Sequence, residues 1–378
     1  GVDEDSNSNY IVDIAAIGDC ASVAGCQVLF IQGQNTAYRV DVDSTSVGSA
    51  NLLTSDYLLT GQVATYAGIG YWSSDEGLLR YDVSNNTFLA PWGSTGVNGV
   101  DNAPVAVVGD VLHMGLAGYG VARKDLTTGE ILTPINSGNS IMNSNNIFAL
   151  EVNGNDLWIG TQLGGFIWDG SSMSQLTSGN DWTRRPSQHF DFEYDGNWMY
   201  AGTNIGVCQY SPSNGAIDDC LNVYDGMPNW ATYVVGVNST TVFGGTFSGV
   251  GLIDKSSFSV EDEWVATDST SDAIVEVIDD IAYIGLTGIG VARWDISNNE
   301  WLTTWTDDNA LDNGNEDVTA LIADIRPGYI WIGGEDGFQL LGTANGTEFY
   351  DIEKSNSLYS GNGDPYDLTM YGYTMYYH

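Results

Sequence analysis

The sequence predicts an all-β chain, a β-propeller of about eight four-stranded blades with seven as the alternative, on three observations. An apolar phrase closing on glycine returns eight times along 378 residues. Its spacing, 40 to 48 residues between successive glycines, matches a propeller blade or a solenoid coil. Between the copies, β-branched and aromatic runs are divided by Gly, Asn, Asp and Ser, and no stretch carries a capped helical stripe.

In order, the copies are LFIQGQNTAYRVD from Leu29, TYAGIGYWSSDEGLLRYD from Thr65, LHMGLAGYGVARKD from Leu112 and LWIGTQLGGFIWD from Leu157. MYAGTNIGVCQYS from Met199, VFGGTFSGVGLID from Val242, AYIGLTGIGVARWD from Ala282 and IWIGGEDGFQLLG from Ile330 follow. The glycine after the apolar pair falls at Gly68, Gly115, Gly160, Gly202, Gly245, Gly285 and Gly333, with Gln32 in its place in the first copy.

Each unit divides into four strands. Around Trp158 they are expected at 146–152, in DLWIGT, in GGFIWD and at 173–177. Alternation sends Trp158 and Ile159 to opposite faces of a strand buried between blades, and Gly160 allows a neighbouring chain to approach closely. Aspartates ending the third strand, as in YDVSNNTF, KDLTTGEI and WDISNNEW, are turn formers whose carboxylates accept from N–H groups two residues on. Arginine precedes them by two residues in Arg39/Asp41, Arg80/Asp82, Arg123/Asp125 and Arg293/Asp295, which predicts a ring of surface ion pairs.

The stretch NSNNIFALEVNGNDLWIGTQLGGFIWDG (143–170) resembles the two-component-regulator propeller repeat, and DGMPNWATYVVGV (225–237) and VTALIADIRPGYIWIGGEDGFQLL (318–341) are similar to it. The resemblance implies an extracellular propeller scaffold used for sensing or binding. It transfers no catalytic residue.

The propeller is expected over 10–363, after an acidic segment at 1–9. Residues 364–378 read as the start of a further blade, either because the chain continues or because these strands complete another subunit.

Composition narrows the partners. Ten basic against 49 acidic residues give a net charge of −39, which repels nucleic acid and anionic membranes. No run of apolar residues is long enough to insert in a membrane. Other copies of the chain, or a cell-surface protein or glycan, remain. Cys20/Cys26 and Cys208/Cys220 are expected as two local disulfides, which points to an oxidising, extracellular or cell-surface location.

Candidate sites fall outside the repeated core. The connections from one blade to the next carry Trp92, Trp182 and Trp230 among polar residues, and Arg184 and Arg185 beside Trp182. Such aromatics either stack on a sugar or a protein partner, or fold back as plugs. Asp3, Asp5, Asn7 and Asp312 lie in oxygen-rich stretches that suit Ca²⁺. Asn85, Asn238 and Asn345 head N-glycosylation sequons. His113, His189 and His378 are isolated in sequence and read as structural, and the common catalytic motifs are missing. The expected function is therefore a binding or assembly module. A glycan hydrolase or lyase on the same scaffold is the alternative.

Overall fold

A computed structural model describes residues 11–20, 23–33, 37–42, 51–54, 59–66, 68–74, 77–92, 104–116, 118–177, 186–265, 274–286, 288–311, 318, 320–323, 327–334 and 337–353. Through 11–66, and at shorter stretches such as 72–78, 90–92 and 349–353, the description is of backbone alone.

Eight four-stranded antiparallel sheets fill the described residues, each in simple sequence order. The first holds β1 (Ile11–Cys20), β2 (Val23–Gly33), β3 (Ala37–Val42) and β4 (Asn51–Thr54), the second β5 (Leu59–Tyr66), β6 (Ile69–Ser74), β7 (Gly77–Asp82) and β8 (Thr87–Trp92). The third holds β9 (Val105–Val108), β10 (Val111–Leu116), β11 (Gly120–Asp125) and β12 (Ile131–Ile135), the fourth β13 (Ile147–Asn153), β14 (Asp156–Thr161), β15 (Gly164–Trp168) and β16 (Met173–Gln175). The fifth holds β17 (His189–Tyr194), β18 (Met199–Thr203), β19 (Gly206–Tyr210) and β20 (Ile217–Leu221), the sixth β21 (Val234–Val237), β22 (Thr241–Thr246), β23 (Gly249–Asp254) and β24 (Ser259–Val265). The seventh holds β25 (Ile274–Ile278), β26 (Ile281–Leu286), β27 (Gly290–Asp295) and β28 (Glu300–Trp305), the eighth β29 (Ala320–Ala323), β30 (Tyr329–Gly334), β31 (Gly337–Gly342) and β32 (Glu348–Glu353). This is the predicted propeller-type repeat. Two compact units divide the chain, Ala103–Val277 on one hand and Gly1–Asn102 with Ile278–His378 on the other.

In the unit Ala103–Val277, the apolar pair of the repeated phrase splits as alternation requires. Trp158 packs with Phe192, Met199 and Tyr210 of the fifth sheet, while Ile159 packs with Ile147, Leu157 and Phe166 and with Val121 of the third. Both side chains are fully buried, so each second strand seals two inter-sheet cores at once. A Cβ on Gly160 would stand 2.6 Å from the carbonyl oxygen of His189, so only glycine lets the fifth sheet approach this closely. Cys208 and Cys220 face each other across β19 and β20 and form the expected disulfide. In the other unit, the hydroxyl of Tyr283 donates to Thr343 O at 3.1 Å, and a Cβ on Gly285 would meet Val318 at 2.5 Å.

Two sequence expectations are corrected. Gly68 does not hold the register of Gly160; it sits in the β5–β6 turn at φ 80°. In β6 the equivalent position is Ser73, which pairs with Leu78 as Gly160 pairs with Gly165. The apolar-pair cue failed there because TYAG reproduces it one strand too early.

The ion pairs expected at Arg123 and Arg293 are the second correction; the Arg39 side chain lies outside the described residues. Arg293 donates from Nε and Nη2 to Thr303 O at 3.0 and 2.8 Å and lies over the Trp305 ring at 4.4 Å. Arg123 donates to Thr133 O at 3.4 Å and lies over Trp168 at 5.4 Å. Asp125 and Asp295 turn to their own hairpins, accepting from the N–H of Thr128 and Asn298 at 2.8 and 2.9 Å. The turn geometry claims the carboxylate before the arginine can.

Candidate functional site

Within Ala103–Val277, the connections between sheets are fastened by main-chain hydrogen bonds to the hairpins joining second and third strands. Gly120 N–H donates to Asn145 O (3.1 Å), Gly164 N–H to Ser187 O (2.7 Å) and Thr232 N–H to Thr203 O (2.9 Å). Side-chain amides add to this: Asn146 Oδ1 accepts from Gly118 N–H at 2.8 Å, and Asn204 Oδ1 accepts from Ser187 and Gln188 N–H at 2.9 Å each. Inside the hairpins, Thr161, Thr203 and Thr246 each donate from Oγ1 to the carbonyl of Gly164, Gly206 and Gly249 at 2.8 Å. Connections and hairpins therefore form one continuous end of the unit, held in place by its own backbone.

This end is apolar at the surface. Of nine large hydrophobic side chains exposed among the described residues, eight lie here: Tyr119, Ile141, Phe148, Leu163, Tyr224, Trp230, Phe247 and Val265. Ile131 in β12 is the ninth. Rings continue from sheet to sheet, with Phe148 and Phe190 5.7 Å apart, Phe190 and Tyr233 4.9 Å, and Tyr233 and Phe247 4.2 Å. Beside them Trp230, 42% exposed, meets Tyr224, 86% exposed, edge to face at 5.1 Å.

Its described turns and connections are also almost uncharged. Across the described residues of 116–120, 136–146, 161–164, 186–188, 203–206, 222–233 and 246–249 the one ionisable side chain that is charged at neutral pH is Asp225, whose Oδ2 accepts from Asn222 N–H at 3.0 Å. The opposite turns are acidic, with Asp110, Asp125, Asp156, Asp169, Asp195 and Asp254. There, hydrogen bonds from the following Thr or Ser residues hold the carboxyls of Asp125, Asp169 and Asp254 below the usual carboxylate range. Asp195 ion-pairs with Lys255 at 2.6 Å; burial works to raise its carboxyl, and the bonds from Lys255, Trp198 and Asn197 outweigh it.

Between the two ends, the first strands carry carboxylates. Buried Asp191 accepts from Phe192 N–H at 2.9 Å and from Val235 N–H of the next sheet at 2.7 Å, a structural tie. Burial, and then the neighbouring Glu151, Asp191, Glu276 and Asp195, push the carboxyl of Glu193 well above its ordinary value. Burial lowers His113 to about 4, with Arg123 adding to it, and lowers His189 to about 3. Both imidazoles are neutral at physiological pH; His189 Nε2 meets the Tyr210 hydroxyl at 2.8 Å inside the core. Among the described residues no group of three or more His, Cys, Asp or Glu is arranged to hold a metal.

Of the residues singled out from sequence, Trp230 lies on the apolar end. Trp92 closes β8 opposite Leu78, the strand position that Leu221 takes opposite Val207, rather than standing in a loop. Trp182, Arg184 and Arg185 lie outside the described residues, as do Asp3, Asp5, Asn7 and Asp312, His378, and the segments 1–9 and 364–378. Cys20 and Cys26 fall in β1 and β2, where side chains are not described. Asn85, Asn238 and Asn345 all stand in turns; Asn85 Nδ2 donates to Asp82 at 2.7 Å, and the other two accept from nearby Thr N–H groups.

Sequence reasoning missed Phe148, Phe190 and Tyr233. Register shifts beside Phe148 and Phe190 take them out of the strand's alternation and turn apolar residues outward. The available signal was an aromatic recurring at one repeat position, 148, 190 and 233.

No protein-family model matches the chain, and no curated protein matches it. Solved structures do. The computationally designed Ika8 protein aligns at 14% identity with a TM-score of 0.65, covering 89% of this chain and 96% of its own. The C-terminal WD40 domain of Sif2 aligns at 9% identity with a TM-score of 0.61, covering 86% and 93%. The extracellular domain of BT4673 from B. thetaiotaomicron aligns at 14% identity with a TM-score of 0.53, covering 92% of this chain and 46% of that one. At these identities the likeness establishes the propeller-type fold alone.

Proposed function

We propose that the chain is an extracellular or cell-surface binding or assembly module, working through the uncharged aromatic end of Ala103–Val277. One observation carries this reading: among the described residues, eight of nine exposed large hydrophobics gather where the turns carry almost no charge, in a chain of net charge −39. Solvated loops do not concentrate apolar area in this way unless something covers it. The Cys208–Cys220 disulfide supports an oxidising compartment. The fold neighbours include an extracellular domain, which agrees with that location. Ca²⁺ at Asp3, Asp5, Asn7 and Asp312, glycan at Asn85, Asn238 and Asn345, and partner contacts from Trp92, Trp182, Arg184 and Arg185 rest on residue type and position in the sequence.

Oxidative footprinting of the chain on its producing cells, against the purified and diluted chain, tests the face. Tyr224, Trp230 and Phe247 are expected to be shielded on cells and labelled when dilute. Equal labelling in both states would sink the reading.

A further inference from the structure

We propose that the partner of this face is a second copy of the chain, docked face to face about a two-fold axis; the inference rests on the binding face just described. Area, the low charge of the described turns and self-complementarity support that occupant.

Taking about 200 Å² for a large side chain laid bare, eight such residues at the observed exposures leave on the order of 800 Å² of apolar surface. That is what one partner contributes to a specific protein interface of standard size, about 800 Å² a side. It exceeds what a few sugar rings would cover.

Charge then selects the surface through which two copies can meet. Two copies, each at −39, repel through almost any pair of surfaces, and the aromatic end is where described turns present only Asp225. The acidic turns stand at the far ends of strands of five or six residues such as β14 and β18. At about 3.3 Å per residue that sets them roughly 15–20 Å behind the contact, beyond the screening length of about 8 Å at physiological salt. An isologous contact also needs one self-complementary patch, which an aromatic surface supplies because edges and faces of the same rings pair with each other. The bonds from Gly164 N–H to Ser187 O and from Thr232 N–H to Thr203 O hold the described residues of that patch in place, so they lose little flexibility on docking.

Sedimentation equilibrium of the whole chain tests this, using two matched substitutions. Leu163→Glu places a charge on the face, and Ile131→Glu places the same charge on a residue of similar exposure, 51% against 61%, away from it. The wild type is expected to be a dimer that tightens by about tenfold as salt rises from low to about 0.5 M, because screening relieves like-charge repulsion. Leu163→Glu is expected to weaken it by about a hundredfold, Ile131→Glu to leave it unchanged, and both to melt with the wild type when diluted to monomer. A milder Trp230→Ser, also on the face, should weaken the dimer in the same direction. A wild type that stays monomeric in 0.5 M salt at about 0.1 mM overturns the second copy, as does equal weakening by Ile131→Glu. If footprint shielding on cells persists in that case, the binding face stands with a different occupant. If shielding is absent too, both readings fall.

Discussion

The two ends of Ala103–Val277 use their side chains in opposite ways. At the acidic end nearly every charged group serves the fold. Asp125, Asp169 and Asp254 close turns by accepting from Thr or Ser, and Asp195 is paired with Lys255. At the other end, hydrogen bonding is done by amides, threonines and the backbone, and the large side chains are left outside. Charge here is used to fold the protein, and apolar surface is what remains available to a partner.

The sharpest way to break that contrast is to remove what both ends share. Trp158→Ala empties a fully buried site between the fourth and fifth sheets and should cost about 3–5 kcal/mol. Urea unfolding followed by near-UV dichroism should show both ends lost in one transition. Separate transitions would mean that the ends are independent.

Next in size is Lys255→Met, which leaves the buried Asp195 carboxylate unpaired. We expect a loss of about 2–3 kcal/mol at neutral pH, somewhat less than for a fully enclosed pair because Lys255 retains some exposure. Asp195 has a lowered folded pKa, so its contribution is present above the ordinary carboxylate value and is lost as pH falls through the lowered one. The gap between variant and wild type should therefore close toward acid, as read by denaturant midpoints across pH.

Glu193→Gln should act with the opposite sign. A carboxyl raised by burial and neighbouring acids stabilises the fold only below its ordinary value, and that stability is lost as pH rises through the raised one. The variant should thus be more stable than wild type in mildly alkaline solution and no better in acid. A destabilised variant at both pH values would show that the Glu193 carboxyl has a structural partner like that of Asp195.

The smallest expected effect sharpens the comparison most. Tyr224→Ser and Leu163→Ser should each change the unfolding free energy of the diluted monomer by no more than about 0.5 kcal/mol, since both side chains are largely exposed. A cost of several kcal/mol would recast the aromatic end as part of the core.

Most of the fold was legible in the sequence because the repeat is enforced by packing. DLWIGT and GGFIW are strands where alternation put them, and Trp158 and Ile159 diverge into separate cores as expected. Gly68 misled because one glycine-after-apolar-pair cue serves two structural positions, a turn at positive φ and a close approach between sheets. The candidate face was only partly legible. Trp230 was visible as an aromatic among polar residues, but Phe148 and Phe190 were hidden inside apparent strand sequence, since a one-residue register shift leaves no compositional trace. The arginines were misjudged for a related reason: spacing shows which side chains share a strand face but not that a carboxylate is already engaged by its own turn.

The main-chain bonds fastening each connection to a hairpin have a further consequence for how such a surface can change. Gly164 N–H to Ser187 O and Thr232 N–H to Thr203 O are indifferent to the side chains that ride on those segments. Residues such as Leu163, Tyr224 and Trp230 can be exchanged one at a time while the backbone beneath keeps its path, so specificity on this scaffold can drift, or be redesigned as a grafted library, without a matching search for new folding solutions.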